Sequence, residues 1–167
     1  MQSLIPVILT VILVYSLYTD LRCGKVYNHV TLPAAGVGFL LNVAFRGVDG
    51  AILSIEGWAL GIGLFLLPFV LGGMGGGDVK LLAAIGAFLG PELVFKCFVY
   101  TAIVGGVIAI FLLLRRRQVG ATINNLLGSF YTLYLYRYHA GSSEAGRASF
   151  PYAVAIAVGG LSVLYLR

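Results

Sequence analysis

The stretch Gly72–Gly90, GGMGGGDVKLLAAIGAFLG, sets five glycines and one aspartate directly before a run that is otherwise nearly all apolar. At 1.5 Å per residue, a helix from Asp78 to Gly90 is roughly 20 Å long, short of a hydrocarbon core of about 30 Å. Glycine-rich backbone at membrane depth is tolerated only where protein buries it or a water-filled cavity receives it. The expectation is a wet pocket at a membrane face, with Asp78 on its wall.

Everything around this stretch supports a membrane setting. The chain has 167 residues, 60% hydrophobic and 10% charged, against about 25% charged in a soluble domain, and its mean hydropathy is +0.99. Apolar runs recur from end to end, which excludes a sizeable soluble domain and gives one transmembrane unit over residues 1–167. The expected fold is an all-α, polytopic bundle of about six transmembrane helices. The first covers Ser3 to Tyr18, with no basic residue before it and no small-residue cleavage site after it, unlike a removable signal peptide. The second runs from about His29 to Phe45 and the third from Ala51 to Leu71, separated by the turn sequence RGVDG. The fourth is short, Val79 to Leu89, preceded by the glycine-rich loop and stopped by Gly90 and Pro91. The fifth spans Glu92 to Leu114 and the sixth Phe150 to Leu166. Between them, Ala121 to Tyr138 mixes Asn124, Asn125 and Arg137 with five aromatic residues, a composition suited to an interfacial helix.

Six crossings sort the basic residues. Arg22, Lys25, Lys80, Arg115, Arg116, Arg117, Arg137 and Arg147 fall on one side, and only Arg46, Lys96 and Arg167 on the other. The basic side is the cytoplasmic one, so both termini are expected in the periplasm. The acidic residues divide evenly, so the net charge of +5 reads as a topology signal and a contact with anionic lipid, with no nucleic acid as partner.

The same topology puts Asp20, at the end of the first helix, and Asp78, at the start of the fourth, on the cytoplasmic side. Either has a plain explanation: Asp78 as an N-cap, and Asp20 as a solvated residue balanced by Arg22. Ionisable residues near a membrane interior are nevertheless expensive and usually functional. Two carboxylates sharing a proton can hydrolyse an amide, one activating water while the other donates to the carbonyl. The helix ends assign Asp20 as the acid and Asp78 as the base. A small ion-coupled transporter using the same two aspartates is the alternative from another class.

Gly75-Gly76-Gly77-Asp78 fits the G-x-G-D signature of membrane aspartyl proteases, and VKLLAAIGAFLG after it resembles the type IV prepilin peptidase version. The stretch DLRCGKVYNHVT, Asp20 to Thr31, resembles that family's Asp-x-Arg followed by a basic residue and then asparagine, here Lys25 and Asn28. FPYAVAIAVGG, from Phe150, resembles the Pro-Tyr segment opening the last helix, here Pro151 and Tyr152. The resemblance implies an inner-membrane endopeptidase that removes the basic leader of a type IV prepilin or Flp-like pilin precursor, cutting after a glycine at the cytoplasmic face. It implies Asp20 and Asp78 as the catalytic pair, with Arg22, Lys25, Asn28, Gly75, Gly77, Lys80, Pro151 and Tyr152 as substrate-binding or site-supporting residues. No cofactor or metal is implied. Tyr27 stands where the family commonly has proline. With only Cys23 and Cys97, the chain resembles the minimal form without the paired Cys-x-x-Cys domain, so methylation is not carried over. Archaeal preflagellin peptidases are close relatives of this pattern and form a second alternative.

Overall fold

The computed structural model describes residues 4–23, 26–70, 74–116 and 152–165. They form five helices: α1 (Leu4–Cys23), α2 (Asn28–Val70), α3 (Gly76–Leu89), α4 (Pro91–Arg116) and α5 (Tyr152–Tyr165). By length and composition α1, α2 and α4 each contain a stretch able to cross a membrane. The interfacial helix expected over 121–138 lies outside the described residues.

The second and third expected helices appear as one 43-residue run, with a single non-helical residue, Gly47, at φ 61° and ψ −132°. The chain reverses there. Twelve residues along a straight helix span about 18 Å, yet Asn42 Nδ2 lies 3.1 Å from Ser54 Oγ. The two arms, 28–46 and 48–70, are therefore folded back on each other. The turn expected over RGVDG is compressed into one glycine, whose missing Cβ admits the positive φ.

Helix α3 is the centre of the bundle. Val79, Leu81, Leu82, Ala83, Ala84, Ile85, Ala87 and Phe88 are all buried, the all-round pattern of an enclosed helix. It lies against the second arm of α2 at van der Waals backbone distance. A Cβ on Gly57 would strike the Gly86 carbonyl oxygen, a Cβ on Gly86 would strike that of Gly57, and one on Gly61 would come within 2.8 Å of Ala83 Cα. Without water to drive helices together, such small-residue contacts supply the association energy. Helix α5 packs between α1 and α4: a Cβ on Gly160 would lie 2.8 Å from Leu13 Cδ1, and one on Gly159 would meet Cys97 and Thr101.

At about 21 Å, α3 is shorter than the bilayer core, so the carbonyls of its last turn need partners from protein. They have them. Gly90, at φ 83°, donates its N–H to Gly86 O at 2.8 Å, and Val94 N–H donates to Gly90 O at 3.1 Å. Asn42 Nδ2 lies 3.0 Å from Ala87 O and 3.1 Å from Phe88 O, while Ser54 Oγ donates to Ala87 O at 2.6 Å. Replacing Asn42 with alanine removes the donor on Phe88 O and is expected to cost about 1–3 kcal/mol. Ser54→Ala leaves Ala87 O its Asn42 donor and should cost less. Denaturation midpoints in detergent, ranked wild type, Ser54→Ala, Asn42→Ala, check this.

Candidate active site

The end of the bundle opposite the Asn42 knot gathers the polar residues. Helix α3 starts at Gly76, three residues earlier than expected, so Asp78 sits inside its first turn and Gly75 takes the capping position. Gly75 N–H donates to Asp78 Oδ2 at 3.3 Å, and Asp78 N–H donates to Gly75 O at 3.2 Å. This reciprocal pair fixes the carboxylate at the positive end of α3.

Asp20 lies in the last turn of α1 and is buried like Asp78, the two being 9% and 8% exposed. Gly160 of α5 faces Leu13, seven residues before Asp20, and Ile85, seven residues after Asp78: a Cβ there would lie 2.8 Å from Leu13 Cδ1 and 3.8 Å from Ile85 Cδ1. The backbone N–H of Ala153, in the first turn of α5, lies near Asp20. Asp20 Oδ2 is buried and has no hydrogen-bond partner among the described residues. One turn earlier in α1, Ser16 Oγ is also buried and has no partner among the described residues. A carboxylate oxygen left open beside a second carboxyl is placed to receive a water or a shared proton.

The helix-end assignment sets Asp20 at a negative helix end and Asp78 at a positive one. Ala153, just inside the start of α5, adds a backbone N–H near Asp20. The sequence carried one signal for Ala153, its place just inside a helix start, where N–H groups have no partner within the helix.

The other expected site residues fall into groups. Asn28 and Lys80 meet, Lys80 Nζ donating to Asn28 Oδ1 at 2.9 Å, which ties the start of α2 to the first turn of α3. Gly77 faces the connection after α1: a Cβ there would lie 2.6 Å from Val26 O and 3.0 Å from Val26 Cβ. Tyr152 is half-buried and within electrostatic reach of Asp78. Arg22 is exposed, its guanidinium 5.1 Å from the centre of the Tyr18 ring, rather than on the Asp20 carboxyl. Lys25 and Pro151 lie outside the described residues. Asn28→Ala and Lys80→Met each remove one exposed bond and should lower stability by no more than about 1 kcal/mol. The double variant is expected to lose no more than either single one, read as a double-mutant cycle of thermal stability.

Three helices long and apolar enough to cross a membrane, with two buried acids toward one end of the bundle, define a helical membrane protein. The model of the type IV leader peptidase family matches residues 7–110, and the chain belongs to that family. Among curated relatives, the chain is 34% identical over 99 residues to prepilin peptidase EppA of Methanothermobacter thermautotrophicus, covering 53% of this chain and 24% of that protein. It is 33% identical over 123 residues to a prepilin leader peptidase/N-methyltransferase of Aeromonas salmonicida, covering 70% and 42%. A protein of the same name from Burkholderia pseudomallei is 32% identical over 98 residues, covering 54% and 31%. The matched region thus spans under half of each of these relatives. No solved structure matches the chain.

Proposed function

We propose that this chain is a membrane-embedded aspartyl endopeptidase that cleaves the basic leader from type IV prepilins or Flp-like precursors, after a glycine, at the cytoplasmic membrane face. The observation that carries the reading is the burial of Asp20 and Asp78 at one end of the bundle, with Gly75 N–H on Asp78 Oδ2 and Asp20 Oδ2 left without a partner among the described residues. The family and the names of the relatives support the substrate class. Counting the arms of α2 separately gives six crossings, with both termini in the periplasm of a bacterial inner membrane and the aspartates on the cytoplasmic side.

In this reading a water lies between the two carboxyls. The ionised aspartate takes a proton from it as its oxygen attacks the scissile carbonyl, and the protonated one donates to the carbonyl oxygen. Collapse of the tetrahedral intermediate breaks the C–N bond, and the proton taken from water passes to the leaving amine. The positive leader is drawn to an anionic inner surface and to the carboxylate pair. Gly77, Asn28 and Lys80 support the site by fixing the connection after α1 over the start of α3.

The unpartnered Asp20 Oδ2 would also suit a cation or proton relay, the transporter alternative. Purified chain in detergent micelles, mixed with a prepilin, separates the two. A product shortened by its leader, formed without any membrane gradient, is the expected result. An intact prepilin together with gradient-driven ion uptake in vesicles would replace the peptidase reading. The same assay with a preflagellin distinguishes the archaeal-type specificity.

A further inference from the structure

We infer that Ser16 is a positioning residue of the site: its hydroxyl and Asp20 Oδ2 hold one water between them, and that water fixes the Asp20 carboxyl for the reaction. The part Ser16 plays in cleavage rests on the peptidase reading above. The water site itself rests on helix geometry and on which polar atoms lack partners.

Among the described residues, three buried side-chain polar atoms have no hydrogen-bond partner: Ser16 Oγ, Asp20 Oδ2 and Thr31 Oγ1. Ser16 and Asp20 stand four residues apart on α1, and at that spacing side chains are neighbours on one face, with Cβ atoms about 5–6 Å apart. Helical side chains lean toward the helix N-terminus, so the Asp20 carboxyl leans toward Ser16. The two oxygens do not bond each other. A gap wider than one hydrogen bond, between groups this close, is the span that a bridging water covers. Ser16 also departs from the habit of other hydroxyls in these helices. Thr10 Oγ1 donates to Pro6 O at 2.7 Å, Thr19 Oγ1 to Ser16 O at 3.0 Å and Thr101 Oγ1 to Cys97 O at 2.7 Å. Each turns its proton back to a carbonyl three or four residues earlier, the usual outlet for a hydroxyl in a helix. Ser16, 1% exposed, leaves that outlet unused. A buried hydroxyl turned from its own backbone needs another partner, and a water meets the need.

The recess has a floor. On the buried face of α1 the residues before Ser16 are Leu13 and Leu9, both fully buried. Gly160 of α5 closes on Leu13 and Ile85, leaving no room there even for a Cβ. The polar part of this face therefore begins at Ser16 and ends at Asp20. Two side-chain oxygens are too few for a hard divalent cation, which takes six or more, and enough for a water, which needs two to four partners. A cation or proton path across the bundle would need polar groups on this face beyond Ser16, where α1 presents leucine. Held at Oδ2 from the Ser16 side, the Asp20 carboxyl loses its freedom to rotate about Cβ–Cγ. Its other oxygen is then kept for the proton transfer assigned to the pair. Ser16 acts through Asp20 and does not itself touch the peptide.

The test compares Ser16→Ala with Ser16→Gly in the full chain. Alanine turns a methyl toward the water, whereas glycine leaves room where the hydroxymethyl group stood, so that a second water takes the place of the hydroxyl. In Ser16→Ala, kcat for prepilin cleavage is expected to fall roughly 10–100-fold with KM unchanged, the effect of losing one hydrogen bond to a charged group. Ser16→Gly should recover most of that loss. A hydroxyl that only packs predicts the reverse order, because alanine suits a helix better than glycine. That order, or Ser16→Ala cleaving like wild type, would overturn the proposal. A second readout does not depend on cleavage. With carbon-13-labelled aspartate, and Asp20 assigned by difference from Asp20→Asn, magnetisation transfer from water protons to Asp20 Cγ should drop in Ser16→Ala and return in Ser16→Gly. Equal transfer in wild type and both variants overturns it as well. A wild type that leaves prepilin intact would remove the peptidase reading, and the transfer experiment would still decide whether a water joins the two side chains.

Discussion

Asp20→Asn and Asp78→Asn are each expected to abolish prepilin cleavage, with the protein still inserted at wild-type level. Asparagine keeps the size of the side chain and an acceptor oxygen, so the bond from Gly75 N–H to position 78 survives. What is lost is the group that takes a proton from water or gives one to the carbonyl. General acid–base catalysis supplies about 10²–10⁴-fold, and the pair acts as one unit. Each single variant should therefore fall by at least that factor and the double variant little further. The readout is the shortened product against time, with protein in the membrane fraction measured in parallel. Cleavage persisting in both single variants would remove the paired-acid mechanism, while loss of membrane-inserted protein would show that the aspartates serve folding.

Much of this arrangement could be read before any coordinates, because the signals are local. Apolar runs mark the helices, and an aspartate after a glycine run marks its own oddity. The bounds failed where glycine was read by composition alone. RGVDG suggested a tight turn between two helices ending at Phe45 and starting at Ala51, whereas one positive φ at Gly47 suffices to reverse the chain and the helices run on to either side of it. The run before Asp78 suggested a loop up to Val79, yet helix begins at Gly76, because an acid in the first turn gains from the free N–H groups there.

Other features were hidden because they join residues distant along the chain. Asn42 and Ser54 look like isolated polar residues in apolar spans. Their role appears only once α2 is folded back and the end of α3 lies between its arms, presenting the carbonyls of Ala87 and Phe88. Ala153 has no polar side chain to advertise it, since what it brings near Asp20 is a backbone N–H. Asn28 and Lys80 were each legible as site residues from the motif, but their mutual bond depends on the helix starts lying side by side.

The motif's own spacing yields the second large effect. Of the two residues before Asp78, a Cβ on Gly76 would meet, among the described residues, only the Phe69 ring, at 3.4 and 3.8 Å, which is ordinary contact. A Cβ on Gly77 would stand 2.6 Å from Val26 O and 3.0 Å from Val26 Cβ, and the nearest of these is backbone that cannot rotate away. Gly77→Ala must push the connection after α1 off the start of α3, and with it the end of α1 that carries Asp20. A misplacement of about 1 Å between reacting groups costs on the order of 10²-fold. Helix propensity works the other way, since alanine is favoured over glycine by about 1 kcal/mol within a helix. The prediction is therefore a split: Gly77→Ala inserts and resists heat about as well as wild type but loses roughly 10²-fold in cleavage, whereas Gly76→Ala keeps both. Initial rates on one prepilin, with thermal midpoints in the same detergent, test it. Equal activity in the two variants would mean that contact between Gly77 and Val26 does not set the approach of Asp20 to Asp78.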